Sequence, residues 1–178
     1  MIFLYNYYGE NMGKIVVEIL GALAFVCEIG IILAKKKKRI FIYNSIANLL
    51  NAIQYYIVHA YSGLLSILVT FIRNYVFSYY DSKKEKTPII WFVLIVFFLI
   101  AAQYASYNGI ITLIPFITTS LYTYSVWQNN MIRFKELHII IYSLNIVYYL
   151  SYGIMVNFIT NIFFLLLTLI DLKKTRKS

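Results

Sequence analysis

Seven stretches of this chain are mostly apolar and each approaches the roughly 20 residues a helix needs to cross hydrocarbon. They run Lys14–Ala34, Ile40–Ala60, Gly63–Tyr80, Pro88–Tyr107, Gly109–Trp127, Ile132–Tyr152 and Val156–Leu172. Lipid offers no partner for an open sheet edge, and these stretches lack the strict alternation of barrel strands, so the expected fold class is all-α and membrane-spanning. Composition agrees, since 61% of residues are hydrophobic against about 45–50% in soluble domains.

Charge falls between the spans. Lys35–Arg39, Lys83, Lys84 and Lys86, Arg133 and Lys135, and Lys173–Lys177 occupy alternate connections, whereas 59–63, 107–109 and 153–155 carry no lysine or arginine. The positive-inside rule then puts the N-terminus outside and the C-terminus in the cytoplasm, with Lys14 and Arg73 as the exceptions among sixteen basic residues. The net charge of +9 is thereby read as a topology signal, and nucleic acid is excluded as a partner. Trp91, Trp127, Tyr61, Tyr79, Tyr80, Tyr104 and Tyr107 stand near span ends, where amphipathic rings anchor in the headgroups. Residues 1–13 have no basic n-region and read as an outer aromatic tail. Cys27 is the sole cysteine, so neither an internal disulfide nor a multi-cysteine metal site is expected.

A shift of 94 positions lays Arg39 on Arg133, Asn51 on Asn145 and Tyr55 on Tyr149. One helical unit used twice, in parallel, explains the count of seven: a three-helix unit crosses an odd number of times, so one further crossing is required before the second copy enters the same way round. The expected division is a first repeat over 14–80, a loop and linker helix over 81–107, a second repeat over 109–172 and a basic tail over 173–178.

Spacings of three and four place side chains on one helix face. Asn44, Asn48, Asn51 and Tyr55 form such a stripe, as do His138, Tyr142, Asn145, Tyr149 and Tyr152, and Ser66, Thr70, Arg73 and Phe77. An unpartnered amide is costly in hydrocarbon, so these stripes should point inward. Asn51 and Asn145 lie about 17–20 Å from their basic span ends, near the middle of a core about 30 Å thick. Such asparagines bind solute or act as packing glue worth about 0.6 kcal/mol. Glu28 and Arg73 differ in depth by about 6 Å and are expected to form a buried ion pair, as a brace, a gate or a proton-coupling site. Glu18 lies near the outer end of its span, where it is expected to be solvated. Gly21 and Pro115, 94 positions apart, are expected hinges. No H-E-x-x-H, G-x-S-x-G or phosphate loop occurs, so catalysis, a metal and a cofactor are not expected.

Four stretches carry a family resemblance: Gly21–Phe25 with the Lys35–Arg39 turn, Ser66–Asn74, Leu113–Thr119 continuing to Trp127, and Tyr142–Gly153 with the span after it. Through them the chain resembles bacterial inner-membrane proteins of the YgjV type, within the SWEET, PQ-loop and PnuC-like transporter superfamily. That resemblance implies a multi-pass protein of the bacterial inner membrane, with midplane asparagines and aromatic rings holding solute. Asn51, Asn145, Tyr55, Tyr149 and Asn161 are the positions here that suit this part, beside Asn48 and Tyr142 of the stripes. The proline-glutamine dipeptide of PQ-loop proteins is missing, because Phe116 follows Pro115. The expected function is a facilitator for a neutral polar or ring-bearing metabolite such as a sugar, nucleoside or vitamin, by alternating access. The alternative is a non-transporting scaffold or sensor. Expected partners are the lipid bilayer and a small-molecule substrate, and a homo-oligomer is compatible with the sequence.

Overall fold

The computed structural model describes residues 2–33, 37–128 and 130–175, with side chains for 12–30, 42–128, 130 and 132–175. Among the described residues all regular structure is helical: α1 (Ile2–Leu33), α2 (Lys37–Ile57), α3 (Tyr61–Ser82), α4 (Ile89–Ser106), α5 (Leu113–Trp127), α6 (Met131–Tyr152) and α7 (Met155–Thr175), with a 3-10 turn at Ile110–Thr112 leading into α5. The expected N-terminal tail is continuous with α1, which at 32 residues is the longest helix. The side chains of residues 1–11 of that tail and of the basic residues 35–39, and residues 176–178, lie outside the described ones.

Local chemistry sets several of the ends. Asn130 caps α6 by accepting hydrogen bonds from the N–H groups of Ile132 at 3.0 Å and Arg133 at 3.1 Å. Glu18, expected to be solvated, instead reaches from α1 to the start of α7, where its two oxygens accept the N–H groups of Met155 at 2.9 Å and Val156 at 2.8 Å. A carboxylate is well suited to that position, because the first turn of a helix presents unpaired N–H groups and the positive end of its dipole.

The turn between α2 and α3 and the turn between α6 and α7 are built alike. His59 and Gly153 adopt left-handed backbone at φ 55° and 68°. Ala60 N–H donates to Tyr55 O at 2.8 Å, and Ile154 N–H donates to Tyr149 O at 3.0 Å. Each pair of corresponding residues is separated by the same 94 positions as Tyr55 and Tyr149.

Helix contacts close a ring. α1 packs on α2, α2 on α3, α3 on α5, α5 on α6, α6 on α7 and α7 back on α1, while α4 lies against α3 and α5. The main apolar core gathers Val17, Ala52, Tyr55, Ala60, Ile67, Ile114, Tyr148, Tyr149 and Ile154, all from the half of the ring away from the basic connections. A smaller core seats α4 through Ile95 and Leu99 on Val69, with Phe77 and Phe116 beside them. The helices therefore converge at one end and leave space at the other.

Outside and inside are reversed relative to a soluble protein. Leu23 and Val26, Leu49 and Tyr56, Leu68 and Ile72, Phe97 and Ile100, Val147 and Leu150, and Ile159 and Leu166 are exposed on the outer faces. Gln54, Arg73, Thr123, His138, Asn157 and Asn161 are buried. An apolar jacket around polar side chains is what lipid as solvent selects. Three segments, Ile89–Ser106, Ile110–Trp127 and Met155–Thr175, are long and apolar enough to cross a membrane on length and composition alone. Helices α2, α3 and α6 carry the expected inward stripes, and those asparagine, arginine and histidine residues dilute their hydropathy.

Candidate functional site

The ring surrounds a cavity of about 620 Å³, within the range typical of small-molecule sites, about 300–1,000 Å³. Its walls include Asn44, Asn48 and Asn51 of α2, Ser66, Thr70 and Arg73 of α3, His138, Tyr142 and Asn145 of α6, and Glu28 and Asn161. The three expected stripes thus meet on one space. Two of their members do not line it: Tyr152 packs against the main core, and Phe77 packs against the core under α4.

The cavity ends on a pair of tyrosines. Tyr55 and Tyr149 stack with ring centroids 6.3 Å apart and planes at 23°, and their hydroxyls are hydrogen-bonded at 2.9 Å. Tyr148 closes on Tyr55 edge to face at 5.8 Å. Below this floor lies the apolar core. At the opposite end the lining reaches Asp171, which is 61% exposed and bridged to Lys135 at 2.8 Å. The cavity is therefore sealed away from the basic connections and approaches the surface beside them.

Behind Tyr149 an amide network joins α1, α2 and α7. Gln54 Nε2 donates to Val17 O at 2.6 Å, and Asn157 Nδ2 donates to Gln54 Oε1 at 3.1 Å and to Asn51 Oδ1 at 3.2 Å. Asn51 is thus tied into the wall. Asn145, its counterpart, makes no hydrogen bond among the described residues and presents its amide to the cavity. The two asparagines, expected to act alike, are different in kind.

The expected hinges also take other forms. Gly21 lies within unbroken α1, and an added Cβ would stand 2.7 Å from Asn157 Oδ1 and 2.8 Å from Gln54 Nε2. The missing side chain makes room for the amide network. Pro115 sits in the first turn of α5, just after the 3-10 turn, where a missing N–H breaks no helical hydrogen bond in mid-span.

Glu28 and Arg73 do not form the expected ion pair. Helix α3 packs chiefly on α2, α4 and α5, and both side chains line the cavity. The Arg73 guanidinium donates through Nε at 3.2 Å and Nη2 at 2.9 Å to Asn74 Oδ1, and it lies 4.4 Å from the centre of the Tyr122 ring. Glu28 has no hydrogen-bond or ionic partner among the described residues and faces the cavity.

Sequence reasoning missed Thr118 and Tyr122 of α5, and Thr168 and Asp171 of α7, all in the lining. Spacings of four and three signal both pairs, but the surrounding apolar residues make each stripe short. It also missed the aromatic stack at His138, whose ring lies 3.9 Å from that of Phe134 and whose Nδ1 is 2.8 Å from Phe134 O.

A family profile described as bacterial inner membrane protein, Imp-YgjV, matches residues 15–178. The chain belongs to the Imp-YgjV family. No curated protein and no solved structure matches it. The Imp-YgjV match takes in all cavity-lining residues and the three segments apolar enough to cross a membrane. The inner membrane is therefore the solvent in which the jacket of Imp-YgjV side chains is to be understood.

Proposed function

We propose that this Imp-YgjV protein crosses the inner membrane seven times, as two parallel three-helix units joined by α4, and carries a small net-neutral polar or ring-bearing solute by alternating access. Helices α2, α3 and α6, of 21 and 22 residues, rise about 31–33 Å, enough to span a core about 30 Å thick. The recurrence of the α2–α3 turn at α6–α7 supports a duplicated unit. So does the ring itself, in which the α3–α5 seam corresponds to the α7–α1 seam. A side chain that touches its own counterpart lies on the axis relating two copies, and Tyr55 touches Tyr149. These features are in keeping with the SWEET, PQ-loop and PnuC-like plan.

The positive-inside rule puts the basic connections and C-terminus in the cytoplasm and the N-terminus outside. On that reading the cavity opens inward and the tyrosine floor closes the outer path. The observation that carries the proposal is this polar cavity at mid-depth inside an apolar jacket, walled by the amide of Asn145 and closed by paired aromatic rings. Amides bond hydroxyl and carbonyl groups, and tyrosine rings take the flat part of a solute.

Cysteine accessibility tests it. Single cysteines at Asn44, Asn48 and Val58, in a Cys27→Ser background, are expected to react with a membrane-impermeant thiol reagent from the cytoplasmic face at 44 and 48. Position 58 should react from the outer face in a fraction of molecules. Protection of all three from both faces would refute transport and favour the scaffold.

A further inference from the structure

The walls of the cavity carry two opposite charges, neither of them paired with an opposite charge among the described residues. Asp171 at the mouth is compensated by Lys135, but Glu28 has no partner among the described residues. Arg73 engages Asn74 through Nε and Nη2 and lies over Tyr122, leaving Nη1 without a hydrogen bond among the described residues. The placement of the two is regular. Tyr122 is the residue 94 positions beyond Glu28, the same separation as the axial Tyr55–Tyr149 contact. The two-fold axis proposed above, passing through that contact, would carry the position of Glu28 onto that of Tyr122, over whose ring the guanidinium lies.

From this arrangement we infer that the solute is zwitterionic: an amino-acid-like molecule whose ammonium meets Glu28 and whose carboxylate meets Arg73. The inference rests on the transport reading above and narrows its substrate class. While the cavity is open, water solvates both charges. Alternating access passes through a closed state from which that water is expelled, and there an unpaired carboxylate or guanidinium is strongly unfavourable. A sugar or an uncharged nucleoside brings hydroxyls and no counter-charge. A simple amine would leave Arg73 alone, and a simple acid would leave Glu28 alone. A molecule bearing both signs satisfies both walls, and because it is neutral overall its passage moves no net charge across the membrane. Asn145 is free to take a further polar group, and the Tyr55–Tyr149 pair offers an aromatic surface at the floor.

The test is thermal stabilisation of the purified full-length protein by the twenty standard L-amino acids, glucose, uridine and nicotinamide. Calorimetry then compares the best amino acid with its decarboxylated and deaminated analogues. At least one amino acid is expected to stabilise, and each analogue to bind at least about tenfold more weakly, as loss of a charge-assisted hydrogen bond implies. In Glu28→Gln the amino acid should fall to the affinity of its deaminated analogue, and Arg73→Gln should do the same for the decarboxylated one. Glu28→Asp should retain the preference for the ammonium, and the melting temperature of each variant without ligand reports whether it folds. Stabilisation by glucose, uridine or nicotinamide, lost in Asn145→Leu, with none by an amino acid, overturns the zwitterion assignment and leaves the transport reading intact. Stabilisation by none of the probes also overturns it, while cysteine accessibility, which needs no ligand, separately judges the transport reading.

Discussion

Asn51 and Asn145 stand 94 positions apart, yet among the described residues only the first is engaged by protein. Replacing Asn51 by leucine removes the acceptor for Asn157 Nδ2 and strands a buried N–H, so Asn51→Leu should lose about 1–3 kcal/mol of stability in detergent unfolding. Asn145→Leu meets no such penalty and should stay within about 0.5 kcal/mol of the parent while losing solute stabilisation. The sequence placed both asparagines on inward faces because their spacing encodes a face. It could not separate their roles, because the distinction depends on Asn157, more than 100 positions from Asn51. Gly21 illustrates the same limit: a glycine in an apolar span reads as a bend, and only the neighbouring α7 reveals a close approach. Gly21→Ala should push Gln54 and Asn157 apart and cost about 1–3 kcal/mol, seen as a lower unfolding temperature.

The helices were legible where one face differed from the other. The stripes on α2, α3 and α6 pointed to the cavity from sequence alone, whereas the closing of α1 on α7 depends on Glu18 capping a helix 137 residues away. No local pattern announces such a contact. Glu18→Ala should strip Met155 and Val156 of their acceptor, speeding amide hydrogen exchange at those two positions and weakening the seam by about 1–3 kcal/mol. Glu18→Gln, with one oxygen left, should fall between alanine and the parent. At the α6–α7 turn an added Cβ on Gly153 meets nothing, so Gly153→Ala isolates the strain of left-handed backbone. It should cost about 1–2 kcal/mol, measured by chemical unfolding.

For the molecule as a whole, segment lengths and charge alternation were enough to anticipate an all-helical membrane protein. The expected Glu28–Arg73 pair failed because sequence depth constrains axial position and says nothing of which helices are neighbours in a ring. That both charges line one cavity is a tertiary fact, and it turns a supposed brace into a candidate binding feature. The central claim is that the two ends of the ring open in turn. Electron–electron distance measurement in lipid nanodiscs, with spin labels on Ser82 and Arg133 at the basic end and on Tyr61 and Met155 at the other, tests it most directly. All four residues are exposed, so labels should not disturb the core. Alternating access predicts two distances for each pair, with the population that is short at one end matching the population that is long at the other. A single, unchanging distance at both ends would contradict it.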